Sequence, residues 1–314
     1  MSLKDTIKRT SLFKILNEYR WREHMTHPGS KYPDKTFYVI RRHDMYAGLF
    51  SFVATNIASI KLCRDNGYIP VIDMKSSRNS FQLPGEEGIV NAWEGLFDQP
   101  FGYGLDDIKM ARNVILGSIH PPESFPDYRM LEDEDELKMW NELGRKYVRN
   151  CMKTEDVQKA DAYMKENFGD NGRVLAVVAR GTDYISKKPW NHPIQPDVKI
   201  LIEDTKKLME ERKCEYLYLA TEDNAIWDEF EKVFSGKLYC YQKQRYDVPD
   251  GKYIADIANS IQAPLERNRE YLISILIVSK CTCLLAGASG GTYGALLMTD
   301  GYEYKNIYNL GRYK

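Results

Sequence analysis

The chain is poor in the residues that mark many catalytic classes. Of its 314 residues only five are His and six are Cys. No Cys-x-x-Cys pair occurs, and Cys63, Cys151, Cys214, Cys240, Cys281 and Cys283 are scattered. That spacing argues against a zinc centre, so no metal is expected. Cys63, Cys240, Cys281 and Cys283 follow or sit among apolar residues, which reads as reduced core thiols in a cytoplasmic protein. Neither sign of charge prevails: 44 Lys and Arg stand against 45 Asp and Glu, a net charge of -1. A nucleic-acid surface usually shows a basic excess, so no nucleic-acid partner is expected. An acidic tail and general disorder are disfavoured too. Long hydrophobic runs are missing. The longest, Leu272 to Val278, is broken by Ser274 and falls short of the ~20 residues that span a membrane. Residues Ser2 to Arg20 hold no apolar stretch of the kind a signal peptide needs. Also absent are Gly-x-Ser-x-Gly, His-Glu-x-x-His, Gly-x-Gly-x-x-Gly and the Walker ending Gly-Lys-Ser/Thr. These absences remove the common hydrolase and zinc-protease signals and weaken an NAD-linked oxidoreductase.

What is present is an α/β rhythm without repeats or low-complexity segments. Length alone suggests two domains of ordinary size. Phe37 to Arg41 reads as a strand, Leu49 to Asp65 as a helix stopped at Asn66-Gly67, and Tyr68 to Met74 as the next strand. Together they form a βαβ unit. Residues 75–104 read as loops with short helices, Asn113 to Leu116 as a strand, and Pro121, Pro122 and Pro126 as turns. The acidic run Glu132 to Glu136 suits the start of a helix reaching Arg149, and Thr154 is expected to cap a helix ending near Phe168-Gly169.

The second half is more regular. Strands are expected at Val174–Ala179, Tyr216–Ala220, Leu238–Tyr241, Cys283–Ala286 and Lys305–Leu310. Helices are expected at Asp197–Arg212, Asn224–Phe234, Glu266–Lys280 and Gly291–Met298. Such alternation predicts mainly parallel sheets in two Rossmann-like domains, 1–170 and 171–314, joined near Gly169 to Gly172. Open parallel sheets bind ligands beyond the carboxyl ends of their strands, in the inter-domain cleft of a two-domain arrangement.

Polar residues at those ends are the candidate site. Arg180 follows VLAVVA, and its guanidinium matches phosphate oxygens in pairs; a simple Arg180–Asp183 pair that tightens the turn is the competing reading. Gly287-Ala288-Ser289-Gly290-Gly291-Thr292 leads from a strand into a helix, whose N-terminus favours anions, although tight packing alone also explains it. Thr221, Glu222 and Asp223 follow YLYLA, where Thr221 with Asp223 also makes a helix cap. His192, Lys187 and Lys188 lie in the loop after Arg180. In the first domain His43, Asp44 and Gly48 end a strand, and Trp93 with Glu94 offers an aromatic face and a carboxylate for a sugar, or a local core. The N-terminal segment sets Lys4, Lys8, Arg9 and Lys14 against Leu3, Ile7, Leu12, Phe13 and Leu16. It reads as a helix packed on the first domain, or as one resting peripherally on an anionic membrane.

The run RGTDYISKKPWNHPI from Arg180 resembles the fucosyltransferase superfamily of α1,6-fucosyltransferases and protein O-fucosyltransferases. The strand, turn and helix of YLYLATEDNAIWDEFEKVF and the later REYLISILIVSKCTCLLAGASGGTYGALLM are similar to family blocks, in the same order. The resemblance covers roughly Val174 to Leu310, with YVIRRHDMYAGLF a looser match in the first half. It implies a GT-B fold and an inverting transferase that moves fucose, or a related sugar, from a GDP-sugar to a glycan acceptor, with no cofactor besides that substrate. It maps the β-phosphate ligand to Arg180, the diphosphate turn to Ser289, Gly290 and Gly291, and the "ATDD" turn to Thr221, Glu222 and Asp223. Thr292, Glu270 and His192 join this nucleotide-sugar set; His43, Gly48, Trp93 and Glu94 form the acceptor set. Asp183, Asp44 and Glu94 are candidate bases, in that order. Three family positions differ: the His two before the Arg is Val178, the carboxylate after the motif falls at Lys188, and the purine-reading Asp falls near Ser274. A degenerate nucleotide- or carbohydrate-binding protein, or a transferase using another nucleotide sugar, are the rival readings.

Overall fold

The computed structural model describes residues 19–83, 85–180, 184, 187–242, 244–247 and 263–314. The basic N-terminal segment and Asp183 lie outside them. Two compact units emerge: residues up to Ala47 with Thr55–Phe125, and Gly48–Ala54 with Pro126–Lys314.

The first unit holds a four-stranded sheet in the order β1-β4-β2-β3. Its strands are β1 (His24–Thr26), β2 (Lys31–Arg41), β3 (Ile69–Asp73) and β4 (Ala111–Leu116). The helices are α1 (Leu49–Asp65), of which Thr55–Asp65 falls in this unit, and α2 (Leu105–Met110). β2 runs parallel to β3 and β4, while β1 pairs antiparallel with β4. Strand β2 begins earlier than its apolar run suggests, because Lys31 already pairs with Ala111 across an irregular register. Alternate residues Phe37 and Val39 bury against Val71, Ile108 and Val114. α1 ends with Gly67 at φ +71, a conformation glycine adopts freely. The Arg41 guanidinium is buried, yet it donates to the carbonyls of Gly117, Arg20 and Arg22. Burial therefore costs it little beyond a somewhat lowered pKa.

The second unit carries a parallel five-stranded sheet, β7-β6-β5-β8-β9. Its elements in chain order are α3 (Glu134–Tyr147), α4 (Thr154–Phe168), β5 (Val174–Val178), α5 (Val198–Glu211), β6 (Tyr216–Ala220) and α6 (Asn224–Phe234). They continue with β7 (Leu238–Tyr239), α7 (Pro264–Lys280), β8 (Cys283–Gly287), α8 (Gly290–Met298) and β9 (Tyr304–Tyr308). Every residue of β5 and β8 is buried, as expected when helices cover both faces. On one face Leu175, Val177, Leu217 and Leu219 pack with Leu201, Ile202 and Phe230 of α5 and α6. On the other, the Tyr218 and Ser274 hydroxyls share a 2.8 Å hydrogen bond between β6 and α7.

The expected link at Gly169–Gly172 lies inside this second unit. The reason is the packing of α3 and α4, which sequence assigned to the first domain. Asn141 donates to the carbonyls of Leu296 and Thr299, and Arg149 donates to Met298, closing the end of α8. Asp156, wholly buried on α4, takes the Arg269 guanidinium of α7 at 2.7 Å. Thr154 is the first helical residue of α4 and not its cap, a position held by Lys153 without a side-chain bond. Asp133 does cap α3, accepting from the N–H groups of Asp135 and Glu136.

Gly144 reports on this packing. A Cβ there would stand 2.4 Å from the Leu297 carbonyl oxygen, a backbone atom with nowhere to retreat. Gly144→Ala is expected to destabilise the fold by about 1–3 kcal/mol in denaturant unfolding. A neutral substitution would contradict the contact of α3 with α8.

Candidate nucleotide site

β5 comes first in the second unit's sheet and β6 and β8 flank it, so the chain changes direction across the sheet at β5. In open α/β sheets this switch point gathers ligands at the carboxyl ends. A pocket there is lined by Val178, Ala179, Arg180, Ala220, Thr221, Glu222, Gln242, Tyr271 and Ser289. Thus the residues after three neighbouring strands, singled out separately in the sequence, meet in one place.

Arg180 is held from two sides. Its Nη1 lies 3.7 Å from Glu222 Oε2, and its guanidinium sits 4.7 Å from the centre of the Tyr184 ring. The ion pair is longer than a hydrogen bond, so charge rather than a shared proton joins the two groups. The other edge of this arrangement is His192, whose ring meets Tyr184 edge-on at 5.3 Å. Partial burial, then the Arg180 charge, push the His192 pKa below the usual imidazole value. The loop between them carries Lys188 and Asn191 at positive φ, a local strain that the fold must hold in place.

Ser289 caps α8. Its Oγ accepts from the Thr292 N–H at 3.4 Å and faces the Thr292 hydroxyl at 3.1 Å. Ser289 takes the Thr292 and Tyr293 N–H groups, and those of Gly290 and Gly291 open the nine-residue helix without an intrahelical acceptor. Gly291 is small for a packing reason: a Cβ would lie 2.4 Å from the Tyr271 hydroxyl. Gly290 is exposed, with its nearest neighbour 3.5 Å from an added Cβ.

Several sequence expectations change here. Thr292 is wholly buried and its hydroxyl donates to the Gly287 carbonyl at 2.6 Å, so it shapes the turn from inside. Asp223 is also buried; its carboxylate accepts from the Ala225 and Ile226 N–H groups as the α6 cap. Thr221 Oγ1 accepts from the Asp223 N–H and belongs to the same cap while lining the pocket. Glu270 is half-buried on α7, where its charge bears on Tyr241 and Tyr246.

In the first unit the expected residues are dispersed. Trp93 is buried, with its ring stacked 4.3 Å from Phe97. It is local core, because the short turns around it bury its ring, and it offers no open face. Glu94 Oε1 accepts from the Asn91 and Gln99 side-chain amides. Asp44 accepts from the Tyr46 and Ala47 N–H groups and pairs with Arg42 at 2.6 Å. Burial would raise its pKa, but those N–H bonds and Arg42 together hold it below the usual range. A carboxylate so stabilised is a weak base. His43 is exposed, 6.4 Å from the Trp21 ring. Gly48 is exposed, has open space around it, and clusters with the second unit. Among the described residues no group of His, Cys, Asp or Glu forms a metal cluster. No helix among them is long and apolar enough to cross a membrane.

Comparison with solved structures gives the apo form of POFUT1 at a TM-score of 0.50, covering 90% of this chain and 100% of that one with 10% identity. The likeness is one of fold. Further similar structures are fucosyltransferase NodZ from Bradyrhizobium and an Arabidopsis thaliana FUT1 mutant in complex with GDP. NodZ aligns at a TM-score of 0.48 and 15% identity, over 84% of this chain and 93% of its own. FUT1 aligns at 0.47 and 10%, over 94% of this chain and 74% of its own. No family model and no curated protein matches the sequence. The fold is the GT-B fold that the motifs implied. Sequence reasoning missed two lining residues of the pocket, Gln242 and Tyr271. Their signal was weak: Gln242 follows a two-residue strand, and Tyr271 sits inside a long apolar helix.

The His192 imidazole is expected to titrate below its ordinary range by NMR, and Arg180→Gln is expected to raise that midpoint. Acidification through this range charges a ring that the fold keeps neutral and so costs stability. A midpoint unmoved by Arg180→Gln would show that the two groups do not face each other.

Proposed function

We propose that the chain is a glycosyltransferase of the fucosyltransferase type, which moves a sugar from a nucleoside diphosphate donor, GDP-fucose, onto a glycan acceptor. The observation that carries this is the convergence of Arg180, Glu222 and Ser289 at the carboxyl ends of β5, β6 and β8. When the bond between the anomeric carbon and the β-phosphate oxygen breaks, negative charge grows on the diphosphate. Arg180 and the Gly290 and Gly291 N–H groups at the start of α8 stabilise it there. Glu222 stands at the end of the second strand, the place from which an acidic residue takes a ribose hydroxyl in dinucleotide folds. The neighbouring crystal structures include NodZ soaked with GDP-fucose and POFUT1 in complex with GDP-fucose.

Inverting transfer requires a base that takes the proton of the acceptor hydroxyl as its oxygen bonds to the anomeric carbon. Asp44 and Glu94 are engaged as described, so we assign the role to Asp183. We assign acceptor binding to the first unit, with His43 as its exposed polar side chain at a strand end.

A second reading, a binding protein with a degenerate site, is motivated by Val178 and Ser274. Ser274 is buried with its hydroxyl engaged by Tyr218, so it offers a ligand nothing. Purified protein that binds GDP yet neither transfers fucose from GDP-fucose to a glycan nor hydrolyses the donor would decide for it. Under the transferase reading Arg180→Ala is expected to lower turnover by roughly 10²–10³ while leaving the unfolding midpoint near that of the parent. Near-normal turnover in this variant would overturn the diphosphate assignment.

A further inference from the structure

The loop between β5 and α5 brings Tyr184 and His192 to Arg180, and its residues Lys188 and Asn191 stand at φ +44 and +63. Residues with a side chain rarely adopt that conformation, so the surrounding structure must impose it. Asn191 takes the third place of a turn in which the His192 N–H donates to the Pro189 carbonyl at 3.1 Å, a place where a positive φ suits Asn. The turn is held from two sides.

On the first side lies the segment Gly311 to Tyr313, antiparallel to the loop, with a bridge between Pro193 and Arg312. The Ile194 N–H donates to the Gly311 carbonyl at 3.0 Å, the Tyr313 N–H to the His192 carbonyl at 3.0 Å, and the Asn191 N–H to the Tyr313 carbonyl at 2.9 Å. Arg312 adds a side-chain link. Its Nη1 donates to Asn191 Oδ1 at 2.8 Å, and its guanidinium carbon lies 3.0 Å from the centre of the Tyr128 ring. Tyr128 opens a short 3-10 helix that precedes α3, the helix packed on α8. On the second side is the turn into α8. Gln195 is buried, and its Nε2 donates to the Ala288 carbonyl at 2.9 Å and to the Pro193 carbonyl at 3.1 Å. Gly287 permits this approach, since a Cβ there would collide with the Gln195 side chain. The loop that faces Arg180 is thus tied to the turn that carries Ser289.

The consequence falls on Arg180. Its guanidinium stands between Glu222, 3.7 Å away, and the Tyr184 ring, whose centre is 4.7 Å away; the His192 ring meets that ring from 5.3 Å. With the Tyr184 ring displaced, Arg180 has room to close on Glu222 to hydrogen-bond distance. A guanidinium paired in that way meets a phosphate less strongly.

We propose that Arg312 is a positioning residue for the donor diphosphate: through Asn191 it holds the Tyr184–His192 loop against Arg180 and keeps that guanidinium short of a hydrogen-bonded pair with Glu222. The proposal rests on the diphosphate reading of Arg180 and Ser289. Arg312 acts through the loop and does not line the Arg180 pocket.

Two variants of the full chain break the same link from opposite ends. Arg312→Ala removes the donor. Asn191→Gly removes the acceptor and keeps the positive φ, which glycine adopts freely. Each is expected to weaken inorganic pyrophosphate and GDP alike by about tenfold in calorimetry, the worth of roughly one hydrogen bond to a charged group. The double variant is expected to lose no more than the larger single loss, because both changes remove one interaction. The His192 midpoint by NMR is expected to rise toward the ordinary imidazole value in each, as the ring loses part of its burial and its nearness to the Arg180 charge. Arg312→Lys, which can still donate to Asn191, is expected to stay nearer the parent in both measurements. A lower unfolding midpoint with pyrophosphate affinity and the His192 midpoint unmoved would overturn the proposal and leave Arg312 a purely structural residue. Losses that add in the double variant would overturn it too. Failure of the diphosphate reading looks different: the parent chain would bind neither pyrophosphate nor GDP, which removes both.

Discussion

Burial of the β5–β8 pair on both faces is the constraint from which the site follows. A strand covered by helices above and below has no face for a charged side chain, and all ten residues of these two strands are buried. Polar side chains are therefore displaced to the strand ends, where the backbone leaves the sheet. Parallel pairing puts all the carboxyl ends on one edge. The same physics that excludes charge from the core concentrates Arg180, Glu222 and Ser289 around one pocket.

Not every polar residue at that edge serves a ligand. The chain must also close the helices that begin there, and each start leaves backbone N–H groups without partners. Asp223 meets that demand for α6, and Thr292 braces the turn into α8. Ser289 caps α8 and lines the pocket as well, while Arg180 and Glu222 line it as an ion pair at 3.7 Å. Which residues cap and which only line the pocket thus follows from what the backbone requires, with Ser289 doing both.

The second unit was largely legible in the sequence because its signals were local. Continuous apolar runs such as VLAVV, helices with a clear polar face and a Gly-rich turn each act within a few residues. Tyr216–Ala220 and Asn224–Phe234 fall where the pattern put them. The unit boundary was not legible. Whether α3 and α4 pack on one sheet or the other depends on Gly144 against Leu297 and on Asp156 against Arg269, pairs remote in sequence. Trp93 shows the same limit, since an aromatic residue in a loop reads alike whether its ring is open or stacked on Phe97. Two lining residues of the pocket were hidden for a third reason. Gln242 and Tyr271 are unremarkable as sequence, and only the fold brings them beside Arg180 and Glu222.

The account depends on the edge of the second sheet being where the donor diphosphate is held. Hydrogen exchange with and without GDP measures this most directly. Slowed exchange at the Gly290 and Gly291 amides is predicted, with the Tyr46 and Ala47 amides, already bound by Asp44, unchanged. Exchange at Gly290 and Gly291 unaltered by saturating GDP would contradict it.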